Sequence, residues 1–183
     1  MFAWLRTRRA RDRTARSLYG SIVTAARRRA FYANWGVPDT MQGRFEMIVL
    51  HLALAVRRLG PEGDAGKRLA QALIEAFVVD MDDAMRELTF GDLAVPREIK
   101  RATAAVFDRH NAYLAALDGP HDMLQEAIEN QLAYLGPVGF DAGGLAAYVR
   151  RTADRLARQP RAQILAGQII WPDPIGGQEA KPN

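Results

Sequence analysis

Apolar residues recur at helical spacing along most of this chain, and no stretch sustains the two-residue alternation of a half-buried strand. An apolar stripe repeating every three to four residues must be covered by a sheet or by another helix. With no strand on offer, helices must pack on helices. The richest stripe lies in Gly43–Leu59, where Phe45, Ile48, Val49, Leu52, Val56 and Leu59 share one face. Leu50 and Leu54 carry the apolar surface round the other side, and a helix apolar nearly all round belongs at the centre of a fold. The expected class is all-α: a single-domain orthogonal bundle of six or so helices with an extended C-terminal arm.

The remaining helices follow from the same spacing. Ala15–Ala33 turns Leu18, Tyr19, Ile22, Val23, Ala25, Ala26 and Ala30 inward, and Gly60-Pro61-Glu62-Gly63 ends the central helix. Ala65–Leu88 aligns Leu69, Leu73, Phe77, Met81, Ala84 and Leu88. A helix opening at Pro96, a good first-turn residue, runs to Leu117 with Ile99, Val106, Tyr113 and Leu117 inward. Pro120–Leu135 and Gly144–Leu156 complete the set, separated by Gly136-Pro137. Ile164–Pro172 is short and apolar and is expected as an arm packed on the bundle. The expected organisation is a basic extension at 1–14, a helical domain at 15–172 and a disordered tail at 173–183.

The chain contains no cysteine, which removes disulfides, thiol nucleophiles and cysteine-held metals from consideration. Its longest apolar run, Met47–Val56, is broken by His51 and is far shorter than the roughly 20 residues that cross a bilayer. Charge is unevenly spread. Residues 1–29 hold nine arginines against Asp12 alone, a balance of +8, so from a total of +4 the remainder carries −4. One basic end therefore faces any anionic lipid, ribosomal RNA or acidic protein. The apolar start Met1-Phe2-Ala3-Trp4-Leu5 followed by arginines fits a surface helix on anionic lipid, an organellar transit peptide or an idle basic terminus. Arginine far outnumbers lysine, which points to a GC-rich bacterial genome and away from the transit peptide. Neither the apolar length nor the cleavage site of a secretory signal is present.

The stretch from Phe31 to Glu46 stands out among the connections. Gly36 permits an unusual backbone angle, Pro38 fixes its own φ and extends Val37, and Asp39 or Thr40 can cap the helix that follows. Phe31, Tyr32, Trp35, Val37 and Pro38 supply apolar surface there, while Asp39, Arg44 and Glu46 supply charge-assisted hydrogen bonds. An ordinary linker would be polar and plain; this elbow is built to hold a shape, and it is the expected client-binding surface. Arg27-Arg28-Arg29 beside Phe31-Tyr32 suits RNA, lipid headgroups or an acidic protein, or equally a solvated helix end. With Arg6, Arg8, Arg9, Arg13 and Arg16, Arg27 and Arg28 form the expected membrane or ribosome contact.

Other candidates carry less chemistry. Asp80, Asp83 and Glu87, with Asp82 beside them, share a helix face at spacings that suit a divalent cation or an acid–base pair. Arg86 follows Asp82 at four and Asp83 at three, so the bland alternative is a structural ion-pair set of Asp80, Asp83, Arg86 and Glu87, with Arg44 as partner to Asp80. No Glu-x-x-His of a di-metal bundle occurs. His51 lies inside the most apolar helix and reads as a hydrogen-bonded core residue, while His110 and His121 have no Ser or acid at triad spacing. Gly143-Gly144 precedes a helix without the Lys and Ser/Thr of a phosphate loop. Neither a metal nor a cofactor is expected.

Leu18-Tyr19, Ala26-Arg27, Phe31-Tyr32, Gly36-Val37-Pro38-Asp39-Thr40, Gly43-Arg44-Phe45-Glu46 and Leu50-His51 stand in an order that resembles the ubiquinol–cytochrome c chaperone family. Asp80-Met81-Asp82-Asp83, Arg86-Glu87, Gly91-Asp92, Val95 and Lys100 match its second signature, so the resemblance covers about residues 17–118. A weaker echo lies at Ile169-Ile170-Trp171-Pro172. Thr89-Phe90 and Arg109-His110 depart from the family's Gly-Val and Gly-Arg. The resemblance implies a non-enzymatic assembly factor for the ubiquinol–cytochrome c reductase complex, acting in mitochondrial relatives on newly made cytochrome b near the ribosome and the inner membrane with a small partner protein. The expected location is cytoplasmic and peripheral at the inner membrane, on the matrix side in a eukaryote. The expected partners are a cytochrome b-like client and possible contacts to a small protein, ribosome or anionic lipid, with no role for DNA. Two rivals are an RNA- or ribosome-binding module acting through residues 6–29 and a metal-dependent helical enzyme using Asp80, Asp83 and Glu87.

Overall fold

A computed structural model describes residues 2–88, 108–109, 111–136 and 139–175, with side chains for all of these except 2–5, 85–88 and 121. Its elements are α1 (Phe2–Ala26), α2 (Arg29–Ala33), α3 (Met41–Leu59), a 3₁₀ turn (Gly60–Glu62) and α4 (Gly63–Leu88). A helical segment α5 at 111–118 leads to α6 (His121–Leu132), a second 3₁₀ turn (Ala133–Leu135), α7 (Ala142–Arg158) and α8 (Arg161–Leu165). No strand occurs among the described residues, and the fold is an all-α bundle.

The apolar pattern explains the order of layers. α3 packs against α1, α4 and α7 at once, and Met47, Val49, Leu50, Leu52, Ala53, Leu54 and Ala55 are all buried on it. Burial on every side is what its all-round apolar surface demanded. α1 contributes Leu18, Tyr19 and Ile22, α4 contributes Leu69, Leu73, Phe77 and Met81, and α7 contributes Leu145, Tyr148, Val149 and Leu156, all buried at the expected spacing. Ala84, expected on the inner side of α4, is exposed.

The ends of α3, α4, α6 and α7 shift by one to three residues from the sequence reading, and three larger differences matter more. The helix expected over Ala15–Ala33 is α1 followed by a break and α2, because Arg28 is extended (φ −63°, ψ 130°). The Tyr32 hydroxyl donates to the freed Ala26 carbonyl at 2.7 Å, so a tertiary bond replaces the missing helical one. The basic residues expected as a separate extension at 1–14 continue α1, whose helix is described from Phe2. Ile164 and Leu165, expected in the arm, close α8; the arm begins after Gly167, whose φ of +75° turns the chain. The arm is described to Ile175, whereas 176–183, part of the expected tail, lies outside the described residues, as does the expected helical start near Pro96.

Candidate functional site

Each turn device of the elbow is in use. Thr40 is the N-cap of α3, its hydroxyl accepting from the Gly43 amide at 3.2 Å. Gly36 has φ of +70° and lies against Gly139 and Phe140; Asp141 N–H donates to the Trp35 carbonyl at 2.7 Å. Gly43 faces the Pro38 carbonyl so closely that a Cβ there would sit 2.0 Å from its oxygen. Arg44 Nε donates to Asp39 Oδ1 at 2.6 Å across the exposed rim, and that bond holds the Asp39 carboxyl below its ordinary range.

The aromatic residues of the elbow point inward. Phe31 is fully buried and meets Tyr148 at 5.1 Å, Trp35 at 5.4 Å and His51 at 5.5 Å between ring centroids, mostly edge to face. Trp171 of the arm closes the stack on His51 at 5.0 Å. His51 Nδ1–H donates to the Met47 carbonyl at 2.7 Å, since a carbonyl can only accept, and Nε2 accepts from the Tyr148 hydroxyl at 2.8 Å. Burial pulls the His51 pKa down to about 4 and pushes Tyr148 up to about 12. His51 is thus the hydrogen-bonded core histidine that its apolar setting indicated.

A second buried polar group lies at the start of α3. Glu46 is 0% exposed; Tyr134 donates to its Oε1 at 2.7 Å, and Arg109 Nε lies 3.1 Å from the same oxygen. The Arg109 guanidinium also sits 5.6 Å over the Tyr134 ring. Burial raises the Glu46 pKa, offset by the Tyr134 bond and the Arg109 charge. Glu46 Oε2 and the Tyr113 hydroxyl are buried without a hydrogen-bond partner among the described residues. Arg109, which stands where the family pattern has Gly, is therefore the counter-ion of Glu46, a fully buried carboxylate.

These positions correct several expectations. Phe31, Val37 and Glu46, expected to touch a client, are buried: Phe31 packs on Tyr148 of α7 and His51 of α3, Val37 joins the same apolar core, and Glu46 is closed in by Tyr134 and Arg109. Tyr32, Trp35 and Pro38 are half-buried, and Asp39 and Arg44 are exposed. Arg44 pairs with Asp39 and not with Asp80, which instead accepts from the Tyr19 hydroxyl at 2.7 Å. Asp83 is exposed on α4, while the Arg86 and Glu87 side chains lie outside the described residues. No group of three acidic or histidine side chains gathers for a metal ion among the described residues. Arg28, expected to face lipid or ribosome, is half-buried: its guanidinium donates to the Pro172 carbonyl and, at 3.3 Å, to that of Trp171. Arg6, Arg8, Arg9, Arg13, Arg16 and Arg27 are exposed, with Arg8 4.0 Å from Asp12. Arg6, Arg9, Arg13 and Arg16 fall at three- and four-residue steps and so line one face of α1.

Sequence reasoning missed Tyr134, Arg109, Gln159 and the central part played by Tyr148. The arm had a signal in the Ile169–Pro172 echo and Arg109 one in its departure from the family pattern; Tyr134 and Tyr148 meet partners 88 and 97 positions away, and Gln159 meets the arm only because the chain turns back at Gly167.

The chain matches the family described as ubiquinol–cytochrome C chaperone over residues 33–171. It is similar to the crystal structure of the Cbp3 homolog from Brucella abortus at 35% identity and a TM-score of 0.84, covering 96% of this chain and 98% of that one. No match is found among curated proteins. None of the described helices is long and apolar enough to cross a membrane.

Proposed function

The chain belongs to the ubiquinol–cytochrome c chaperone family, whose members are chaperones in assembly of the reductase complex, and from that premise we propose that it is a non-catalytic factor holding newly made cytochrome b, or another apolar client, at the membrane surface. The observation that carries this reading is the elbow: a rigid connection whose interior is locked by Phe31, His51 and Tyr148 while its rim stays open. Along that connection Met41 is 59% exposed, the Asp39–Arg44 pair is exposed, and Pro38, Tyr32 and Trp35 are half-buried, while Tyr134, 54% exposed, bonds to Glu46 at the start of α3. An apolar and aromatic rim with satisfied polar edges suits an apolar client segment.

The arginine face of α1 brings the complex to its place of work. Arg6, Arg9, Arg13 and Arg16 project together from the bundle, and each arginine near an anionic bilayer contributes about 1 kcal/mol. A ribosomal contact through the same face is the second reading, favoured by the same exposed row of guanidinium groups. Deleting the gene and measuring haem b and assembled reductase in membranes tests the function. Loss of both, restored by the intact gene, is the expected result; normal assembly without the gene overturns it.

A further inference from the structure

Residues 168–174 lie on the bundle as a captured peptide would. Burial alternates over 168–171, with Ile169 and Trp171 at 9% and 8% exposure, Ile170 at 52% and Gln168 exposed, the two-residue period of an extended chain. Beyond Trp171 the phase shifts: Asp173 is exposed and Pro174 is buried. Their backbone groups are met by side chains of the groove. The Gln159 side-chain amide donates to the Gln168 carbonyl at 2.6 Å and accepts from the Ile170 N–H at 3.2 Å, as a neighbouring strand's peptide group would. Arg28 holds the carbonyls of Trp171 and Pro172, and Arg151 holds that of Pro174 at 2.7 Å. Among the described residues the groove reads an arm side chain by a hydrogen bond from the Trp171 indole to Ser21 Oγ at 3.3 Å.

A groove that reads main chain and two apolar side chains two residues apart does not depend on one particular sequence. Its floor is His51, which stacks on Phe31, so it is continuous with the interior of the elbow. Gly167 marks where the arm departs: a Cβ there would sit 2.8 Å from Thr14 Cγ2 and 3.1 Å from the Thr14 carbonyl. The exit point is pinned to α1, the Gln168 N–H still donates to the Gln163 carbonyl at 2.9 Å, and the bundle's hydrogen bonds to the arm's backbone beyond that come from the side chains of Gln159, Arg28 and Arg151.

We propose that the groove between the α1–α2 junction and α7 is a receptor for extended apolar peptide, filled by the chain's own arm at rest and by an extended client segment with apolar residues at i and i+2 during work. The inference rests on the chaperone reading. A tethered arm has an effective concentration of order millimolar, so a micromolar peptide of equal intrinsic affinity is at a handicap of about a thousandfold. Loosening the arm removes that handicap without touching the groove.

The test is fluorescence anisotropy of a labelled peptide with the sequence of residues 166–175, titrated with the full chain and with its Ile169→Ser/Trp171→Ser variant. The variant is expected to bind at least about tenfold more tightly than the wild type, with displacement by an unlabelled Ile-x-Trp peptide and none by its Ser-x-Ser counterpart. A folded variant that binds no better overturns the proposal, as does a dimer with exchanged arms in place of peptide binding. Hydrogen exchange on the unaltered protein is the second measurement, should the variant not fold. The Ile170 amide must exchange by local opening while α3 amides wait for global unfolding; exchange of Ile170 only with global unfolding overturns the proposal. Peptide binding is read without any reductase, so its failure leaves the assembly role, tested by haem b in the deletion strain, standing by itself.

Discussion

The Tyr148 hydroxyl donates to His51 Nε2 across 2.8 Å of fully buried space, joining α7 to the central helix at the floor of the arm. The histidine's other nitrogen is spent on Met47, so its tautomer is determined and its ring cannot turn without breaking two bonds. Replacing Tyr148 by Phe keeps the ring packing but strands a buried acceptor, at a cost of about 1–3 kcal/mol. Urea denaturation of the variant measures it; a loss well under 1 kcal/mol would show that water replaces the hydroxyl.

The same pair sets a pH dependence. Burial holds His51 near a pKa of about 4 in the folded chain, against about 6.5 when unfolded. The unfolded state therefore binds the extra proton first, and this contribution to stability is whole above pH 6.5. It falls as pH drops from there to about 4, by up to roughly 1.4 kcal/mol per pH unit. Glu46 acts in the opposite sense: burial raises its folded pKa, so its contribution diminishes as pH rises through the ordinary carboxylate range toward that raised value. Unfolding free energies of wild type and His51→Phe between pH 4.5 and 7.5 isolate the histidine: the difference between them must change with pH.

Arg27 and Arg28 are neighbours with different work. Arg27 is exposed, and Arg28 holds two carbonyls of the arm. Arg27→Gln should leave stability within about 0.5 kcal/mol, whereas Arg28→Gln should cost about 1–3 kcal/mol and speed hydrogen exchange at 168–174. Equal effects would mean that the arm is not held through Arg28.

Among the described residues, Arg109→Ala leaves the Glu46 carboxylate with the Tyr134 hydroxyl as its partner. The expected loss is about 2–3 kcal/mol, below the usual figure for a buried pair because the Arg109 side chain keeps 19% of its surface exposed. Glu46→Gln should suppress most of that loss, and a double-mutant cycle without coupling would dissolve the pair.

Two glycines should respond oppositely to alanine. Gly20 has open space where a Cβ would go, so Gly20→Ala in α1 should stabilise by about 0.5–1 kcal/mol. At Gly43 the Cβ meets the Pro38 carbonyl, which is backbone and cannot swing aside, so Gly43→Ala should destabilise and open the elbow. Thermal melts of the two variants decide it.

Neutralising Arg6, Arg9, Arg13 and Arg16 with Gln should leave the melt unchanged and weaken binding to anionic vesicles by about fivefold per residue. Unchanged vesicle and ribosome co-sedimentation would remove any docking role from this face.

Helix positions were legible because a helix writes its buried face into every third or fourth residue, and α3 declared itself central by lacking a polar side. The elbow's turn was legible for the same local reason: Gly36, Pro38 and Thr40 act on backbone angles and N–H groups within a few residues. What tertiary structure alone decided is where those side chains end up. That Phe31 faces Tyr148 and not a client, that Arg28 clasps an arm and not a membrane, and that Glu46 finds Tyr134 are contacts across roughly 90 to 145 positions. Such distant partners leave no period in the sequence, because burial of a charged or aromatic group depends on what the rest of the chain brings to it.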